Sequence, residues 1–551
     1  MKLYKISLFM LGAALCTTAC SDIDEQVPEG GSITREQLQE TNTAVPERAE
    51  ATFSGLLSMM GQPRTGFPNS SRADDFGFIM AAISLDLEGA DMMMQDNNYN
   101  WFSVCGEYSS RNANYANPYI RYVIPYRQIG IANEVIAGYP EDTTDSLALN
   151  RIAQARAFRA FDYMALAPYF AFDGFTVSSA STDAPCIPIL RDGTDYANNP
   201  RATVKEVWDY IMEDLNYAVE NLNSDRASKD HINKNVALGL RARANLYMGN
   251  YAAAAADAEA AMAGFTPASM AEISVPAFYD LAEHNWMWGI NITVELQSIF
   301  AYATCSSWVS AFSGNAYAAA TQNVPSINSM LYDKIPATDL RKNWWLDENL
   351  HTPNWADLTW VDPTSGASAT GDEMAAFEYD DKMAFLPYNN VKFGQKSGVG
   401  SVVNNNDWPL MRVEEMILIQ VEGLAKSGDE ARARTILENF VKTYRDPAYS
   451  ASASGLSFAD EIWKQRRIEL WGEGFFMFDA KRLGKPVVRF HGSNTSNEPE
   501  AFAFNIEASD SWLNMRFPQT EMDNNYGIVD NEGSQIPTAG QLPDLRDGVT
   551  D

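Results

Sequence analysis

A mainly α-helical scaffold of antiparallel hairpins, interrupted by long irregular excursions, is the fold the sequence predicts. Three observations predict it. Thr203-x-x-Glu206 is a capping box, in which each side chain satisfies the other's free backbone N–H at a helix start. Two helix pairs share one grammar, a turn glycine followed five residues later by alanine: Gly249 with Ala254, and Gly428 with Ala433. Three stretches rich in Asn, Gly, Ser, Pro and aromatics lack helical periodicity: 51–116, 264–407 and 487 to the end.

The elements follow in order. Ile120 to Ala137 and Leu147 to Phe170 read as an antiparallel pair, with Asp142 to Asp145 between them. After the capping box, Val204, Val207, Trp208, Ile211, Leu215, Ala218, Val219 and Leu222 form one apolar stripe at 3–4 residue spacing. Asn235 to Met248 and Tyr251 to Met262 make a pair split by Gly249-Asn250, and their alanines permit close approach. Met411 to Lys426 and Glu430 to Tyr444 make another. The glycine–alanine spacing resembles a tetratricopeptide repeat, whose glycine ends the first helix and whose alanine seats the second. The hairpins are expected at about 117–263 and 408–445, with a ligand-loop region at about 264–407, all within one binding domain over 46–551. The tail after Asp523 is acidic and polar, and is expected to be the least ordered part.

The first twenty residues read as an address. Lys2 and Lys5 precede an apolar run from Ile6 to Leu15, too short for a membrane span of ~20 residues, and the segment ends Thr17-Thr18-Ala19-Cys20. This resembles a bacterial lipobox, giving a signal peptide over 1–19 and lipidation at Cys20, with Thr17 standing where Leu is usual. Residues 20–45 are expected to be a flexible leash. Cys105, Cys186 and Cys305 show no CxxC pairing, so neither a zinc site nor a redox dithiol is signalled, and they read as small buried hydrophobes.

Composition narrows the function. A net charge of −31 repels phosphate backbones, which sets nucleic acid aside as a partner. No GxSxG, HExxH, Walker A or dinucleotide-binding pattern is present, and His231, His284, His351 and His491 are scattered. No cofactor, metal or catalytic residue is therefore expected, although a pair of glycosidase carboxylates needs no local signature. Aromatics are 12% of the chain, and seven of its 13 Trp lie between Trp286 and Trp360. The C–H face of a sugar packs on an aromatic plane while its hydroxyls bond polar neighbours. Aromatics interleaved with Asn, Asp and Ser in irregular segments suit that chemistry: Asn98, Tyr99, Trp101, Trp308, Tyr317, Trp355 and Trp360 are the candidate ligand-binding residues. Trp286-x-Trp288 has strand spacing, and Asp339 to Trp345 resembles a recurrent block of the family described next, which implies a structural role.

Five blocks in order carry a family resemblance. They are Arg156-Ala157-Phe158-Arg159-Ala160-Phe161-Asp162-Tyr163 with Phe172-Asp173-Gly174; Arg201 to Trp208 with Asp214-Leu215; Met411 to Met416 with Glu422; Gln465 to Leu470 with Glu473-Gly474; and Pro518 to Glu521 with Asn524. Together with the lipobox they resemble the SusD/RagB family over nearly the whole mature chain. Gln465 departs from the family's Glu, and Phe476 from its Arg. The resemblance implies a surface-exposed, lipid-anchored outer-membrane protein without enzymatic activity. It would capture a glycan for a SusC-like TonB-dependent transporter, on the helical scaffold known for that family. A peptide-binding lid of the same kind of transporter, a purely structural subunit and a surface glycoside hydrolase are the alternatives.

Overall fold

The computed structural model describes residues 33–551 except 71, 97–100, 299–304, 314–323, 362–364, 377, 380–381, 384, 493–494 and 534–535. The principal helices are α1 (Arg35–Ala44), α2 (Pro46–Ser58), α3 (Gly77–Glu88), α4 (Ala116–Ala137), α5 (Ser146–Phe170), α6 (Val204–Asn221), α7 (Lys234–Tyr247) and α8 (Tyr251–Ala261). After the long excursion come α9 (Val413–Lys426), α10 (Glu430–Tyr444), α11 (Phe458–Glu469) and α12 (Phe476–Leu483). Strands are few and short: β1 (Trp286–Ile290), β2 (Thr359–Val361), β3 (Ser368–Thr370) and β4 (Trp408–Arg412) are the ones that matter here. The scaffold is thus the helical one the sequence predicts.

Each expected hairpin forms for the expected reason. The Thr203 capping box is present at the start of α6, and the stripe behind it is buried, with Val219 half-buried at its edge. Gly249 and Gly428 sit at φ +73° and +102°, left-handed values that favour glycine. Around both, the same pair of closing bonds ends the helix. Gly249 N–H donates to Leu246 O (3.2 Å) and Asn250 N–H to Asn245 O (2.8 Å); Gly428 donates to Ala425 O (3.3 Å) and Asp429 to Leu424 O (2.9 Å). Ala254 and Ala433 are fully buried in the following helices. The alanines of α8 let it lie against α9 as well as α7. A Cβ on Gly423 of α9 would come within 2.5 Å of Tyr251 O, so the two backbones all but touch there.

Several boundaries differ from the sequence reading. Residues 35–44, expected to belong to a flexible leash, are helix: Thr34 and Gln37 form a capping box and α1 packs its Leu38 inward. Gln39 then donates to the carbonyls of Ala137 and Tyr139, both at 3.0 Å. The stretch 51–116 also contains helix: α3 is buried on nearly every side, so it carries no amphipathic stripe to read. Residues 408–412 are strand rather than helix, pairing antiparallel with β1, in which Trp286 and Trp288 are both buried. The tail is anchored, since Asp547 is buried and accepts from Arg467 at 2.8 Å. Cys105 and Cys186 are buried free thiols, as expected.

The excursions are held to the scaffold by buried charge. Glu469, at the end of α11, receives Arg445 Nε (2.8 Å) and Nη2 (2.9 Å), Arg412 Nη1 (3.2 Å) and Arg341 Nη1 (3.2 Å). Arg445 also reaches Glu414 at 3.0 Å. Arg412 and Lys392 share Glu473, and Arg341 holds Asp339 at 2.6 Å. Counted over these residues, four carboxylates meet four cations, and all are buried. Burial alone would raise the Glu469 carboxyl; Arg445 first, then Arg412 and Arg341, hold it well below the usual carboxylate range. Arg412 and Lys392 do the same for Glu473, as Arg482 and Lys426 do for Glu422.

Arg341→Met leaves buried carboxylates short of a partner and is expected to cost ~3–5 kcal/mol in urea unfolding. Because Glu422, Glu469 and Glu473 titrate lower folded than unfolded, their contribution is complete above pH 4.5 and drains away as pH falls below it. The thermal midpoint should decline steadily below that pH, and Glu422→Gln should flatten part of the decline.

Candidate ligand-binding site

Of the aromatic residues picked from sequence, Trp101 and Trp308 come together, from the first and second excursions. Trp101 precedes the short helix Ser103–Gly106, and Trp308 stands on the short helix Cys305–Val309. Their rings meet edge to face at 6.2 Å and 84°, and Phe102 packs on Trp308 at 4.6 Å. Asn390 pins this layer, donating to Val309 O (3.1 Å) and Pro325 O (3.0 Å). A separate run of rings passes from Phe312 to Phe385 (6.5 Å) and from Phe385 to Trp355 (5.2 Å).

The rings differ in what they offer a ligand. Trp101 is half-buried and keeps part of its surface in solvent. Trp308, Trp355 and Trp360 are fully buried, which corrects the expectation that they form exposed platforms: no ring face is left for a sugar. Trp355 lies on a single turn capped by Thr352, and its indole N–H donates to Asp372 at 2.9 Å. Trp360 points inward from β2 while Thr359 and Val361 point out, opposite Ala369 of β3. Gly400 packs against its ring where a Cβ would come within 3.2 Å of the indole nitrogen. These three tryptophans therefore set the shape of the excursion. Asn98, Tyr99 and Tyr317 lie outside the described residues, as does Cys20. Trp344 and Trp345 are structural as expected, one donating to Ile273 O at 3.0 Å and the other edge-on to Trp471 at 5.3 Å.

One exposed polar pair beside this layer escaped the sequence reading. His351 Nδ1 lies 2.8 Å from Asp372, the carboxylate that also receives Trp355. The indole N–H first, and His351 second, hold Asp372 below the usual carboxylate range. The partners are 17 and 21 residues apart in the chain, so no local spacing announces them. Among the described residues no three His, Cys, Asp or Glu side chains are placed to hold a metal ion, and no helix is long and apolar enough to cross a membrane.

Known proteins place this arrangement. Residues 366–535 match the family model described as the SusD family, and residues 81–246 match one described as starch-binding associating with outer membrane. The chain belongs to the SusD/RagB family. Its fold is shared with a SusD-like carbohydrate binding protein from Bacteroides vulgatus ATCC 8482 (TM-score 0.68, 21% identity, covering 88% of this chain and 97% of that one). A SusD superfamily protein from Bacteroides thetaiotaomicron VPI-5482 is similar (TM-score 0.67, 18% identity, 88% and 99%). So is a laminarin binding SusD-like protein (TM-score 0.59, 18% identity, 88% and 99%). No curated protein matches the chain.

Within this SusD/RagB chain, the blocks that carried the resemblance join one another through buried charge. Arg159 clasps Asp214 with two bonds of 2.8 Å, linking the first block to the second. Arg412 joins the third block to Glu469 and Glu473 of the fourth. At the departure Gln465, the amide keeps the connection, accepting from Arg341 (2.6 Å) and donating to Glu461 (2.9 Å). Phe476, where the family has Arg, is buried against Trp463 and Gly89.

Removing a buried ring and removing the half-buried one should read differently. Trp308→Ala is expected to lose ~3–5 kcal/mol of stability by urea unfolding, and Trp101→Ala under ~2 kcal/mol, in keeping with its partial burial.

Proposed function

We propose that this protein is a non-enzymatic glycan-binding lipoprotein of the outer-membrane surface. The observation that carries the reading is Trp101: a half-buried tryptophan set edge to face against the buried Trp308, which Phe102 packs against in turn. A ring so held loses little freedom on stacking against a sugar, so contact energy goes into affinity rather than ordering. Names of similar proteins support the same chemistry, one being carbohydrate binding and another laminarin binding. In this reading Asn98, Tyr99 and Tyr317 supply further polar and aromatic contacts to the glycan. Cys20 carries the lipid, and the loaded protein passes its glycan to a SusC-like TonB-dependent transporter.

Binding is non-covalent: the ring takes the C–H face of the sugar, and side-chain amides take its hydroxyls. Affinity-gel electrophoresis of the mature chain, beginning at Cys20, against a panel of polysaccharides tests it. One glycan class should retard the protein, and Trp101→Ala should weaken that binding roughly tenfold, about the 1.4 kcal/mol of one stacking contact. A chain that binds no glycan, with or without its transporter, would overturn the reading. Palmitate labelling in cells should vanish with Cys20→Ala; label retained by that variant would place the anchor elsewhere.

A further inference from the structure

Away from the tryptophan layer, α3, α4 and α5 close against β4 and the start of α12 around a cavity of about 120 Å³. Its walls are apolar: Phe78, Leu85, Ile124, Phe161, Met164 and Phe475 surround it. The volume is close to that of an engineered apolar cavity that stays dry and admits benzene, about 150 Å³. A purely apolar cavity would need no further account, but this one has a polar floor.

Tyr169 and Arg121 both line the cavity, and both are buried. The Tyr169 hydroxyl finds no acceptor. Arg121 sends Nη1 to Glu88 (2.9 Å) and Nη2 to Cys105 Sγ (3.6 Å), leaving Nε without one. Arg111 draws on the same Glu88 carboxylate at 3.0 Å, so two guanidinium groups share one anion. Arg489, close by, takes the carbonyls of Leu87, Glu88, Gly89 and Gly106 and has Glu498 at 3.9 Å, so three guanidinium groups face two carboxylates. The floor thus holds excess positive charge and unmet donors. The other charged groups on the wall are already matched: Asp74 by Arg72, Arg243 by Glu415, and Glu473 by Arg412 and Lys392. Buried donors left unmet are costly, and a group that meets them binds with that cost recovered.

We propose that this cavity is a binding site for a small carboxylic acid with a benzene-sized apolar body. The carboxylate would accept from the Tyr169 hydroxyl and Arg121 Nε, and the body would lie among the aromatic and aliphatic walls. The site is separate from the Trp101 surface and stands whether or not that surface takes glycan.

Calorimetry on the full mature chain with benzoate, and with toluene as a probe of the same body without an acceptor, tests the proposal. Benzoate is expected to bind saturably at one site and toluene at least tenfold more weakly. Tyr169→Phe keeps the ring and removes the donor, and should weaken benzoate about tenfold or more, the scale of one hydrogen bond to a charged group. Ala165→Phe, which fills the cavity from α5, should abolish binding of both probes. Absence of saturable benzoate binding would mean that the cavity holds only water, and would overturn the proposal. So would equal binding of toluene, or benzoate binding that neither variant alters. Should either variant fail to fold, the comparison of the two probes on the unaltered chain still decides.

Discussion

Glu469 is the constraint on which the rest of the molecule depends. Its carboxylate collects arginines from three segments far apart in the chain: the loop excursion at Arg341, the β4–α9 junction at Arg412, and the end of the second hairpin at Arg445. A fully buried carboxylate of this kind stabilises only if every oxygen and every guanidinium finds its partner. The neighbouring acids and cations match in number, and Asn285 and backbone carbonyls take what remains. Such a network selects one arrangement among many of similar apolar burial, because any slip in register strands a charge. It can therefore position excursions whose own sequences carry little periodicity.

That positioning gives the excursions a fixed shape. Residues 339–345 lie over the network through Arg341, and the adjoining tryptophans extend a layer of rings from Trp471 through Trp345 and Trp344. A second layer runs from Trp101 through Trp308, and a third from Phe312 through Phe385 to Trp355. Large rigid rings set edge to face hold an irregular backbone in place without regular hydrogen bonding. The excess of tryptophan in this region is thus mostly the cost of building a loop-rich surface with a fixed shape. Among the described tryptophans of these layers, Trp101 keeps part of its surface in solvent while the others are buried.

The polar side chains complete the account of why loops this long are ordered. Asn389, Asn390 and Asn406 each donate to buried backbone carbonyls of other segments, at 2.9, 3.1 and 2.8 Å. Backbone groups that would meet water in an exposed loop, or a ladder partner in a sheet, meet side-chain amides here instead. These three asparagines are interior fasteners.

The sequence by itself determined the helical hairpins, their turns and the family. Capping boxes, stripes and C-terminal glycines act within a few residues, so Thr203, Gly249 and Gly428 could be read in place. The buried thiols were read from their lack of pairing, and the structural role of the Arg341 segment from the family resemblance. It did not determine α1, whose polar composition hid its cap, nor α3, whose burial on all sides erased the stripe that would betray it. The candidate tryptophans were found by type and neighbourhood, but which of them faces solvent was decided elsewhere. Trp101 and Trp308 are equally plausible in the chain, and one is half-buried while the other is sealed. Exposure, the pairing of His351 with Asp372, and the unmet donors of Tyr169 and Arg121 depend on groups brought together from distant segments. Local spacing encodes hydrogen bonds along the backbone; only the closed tertiary structure decides which side chains lose their water.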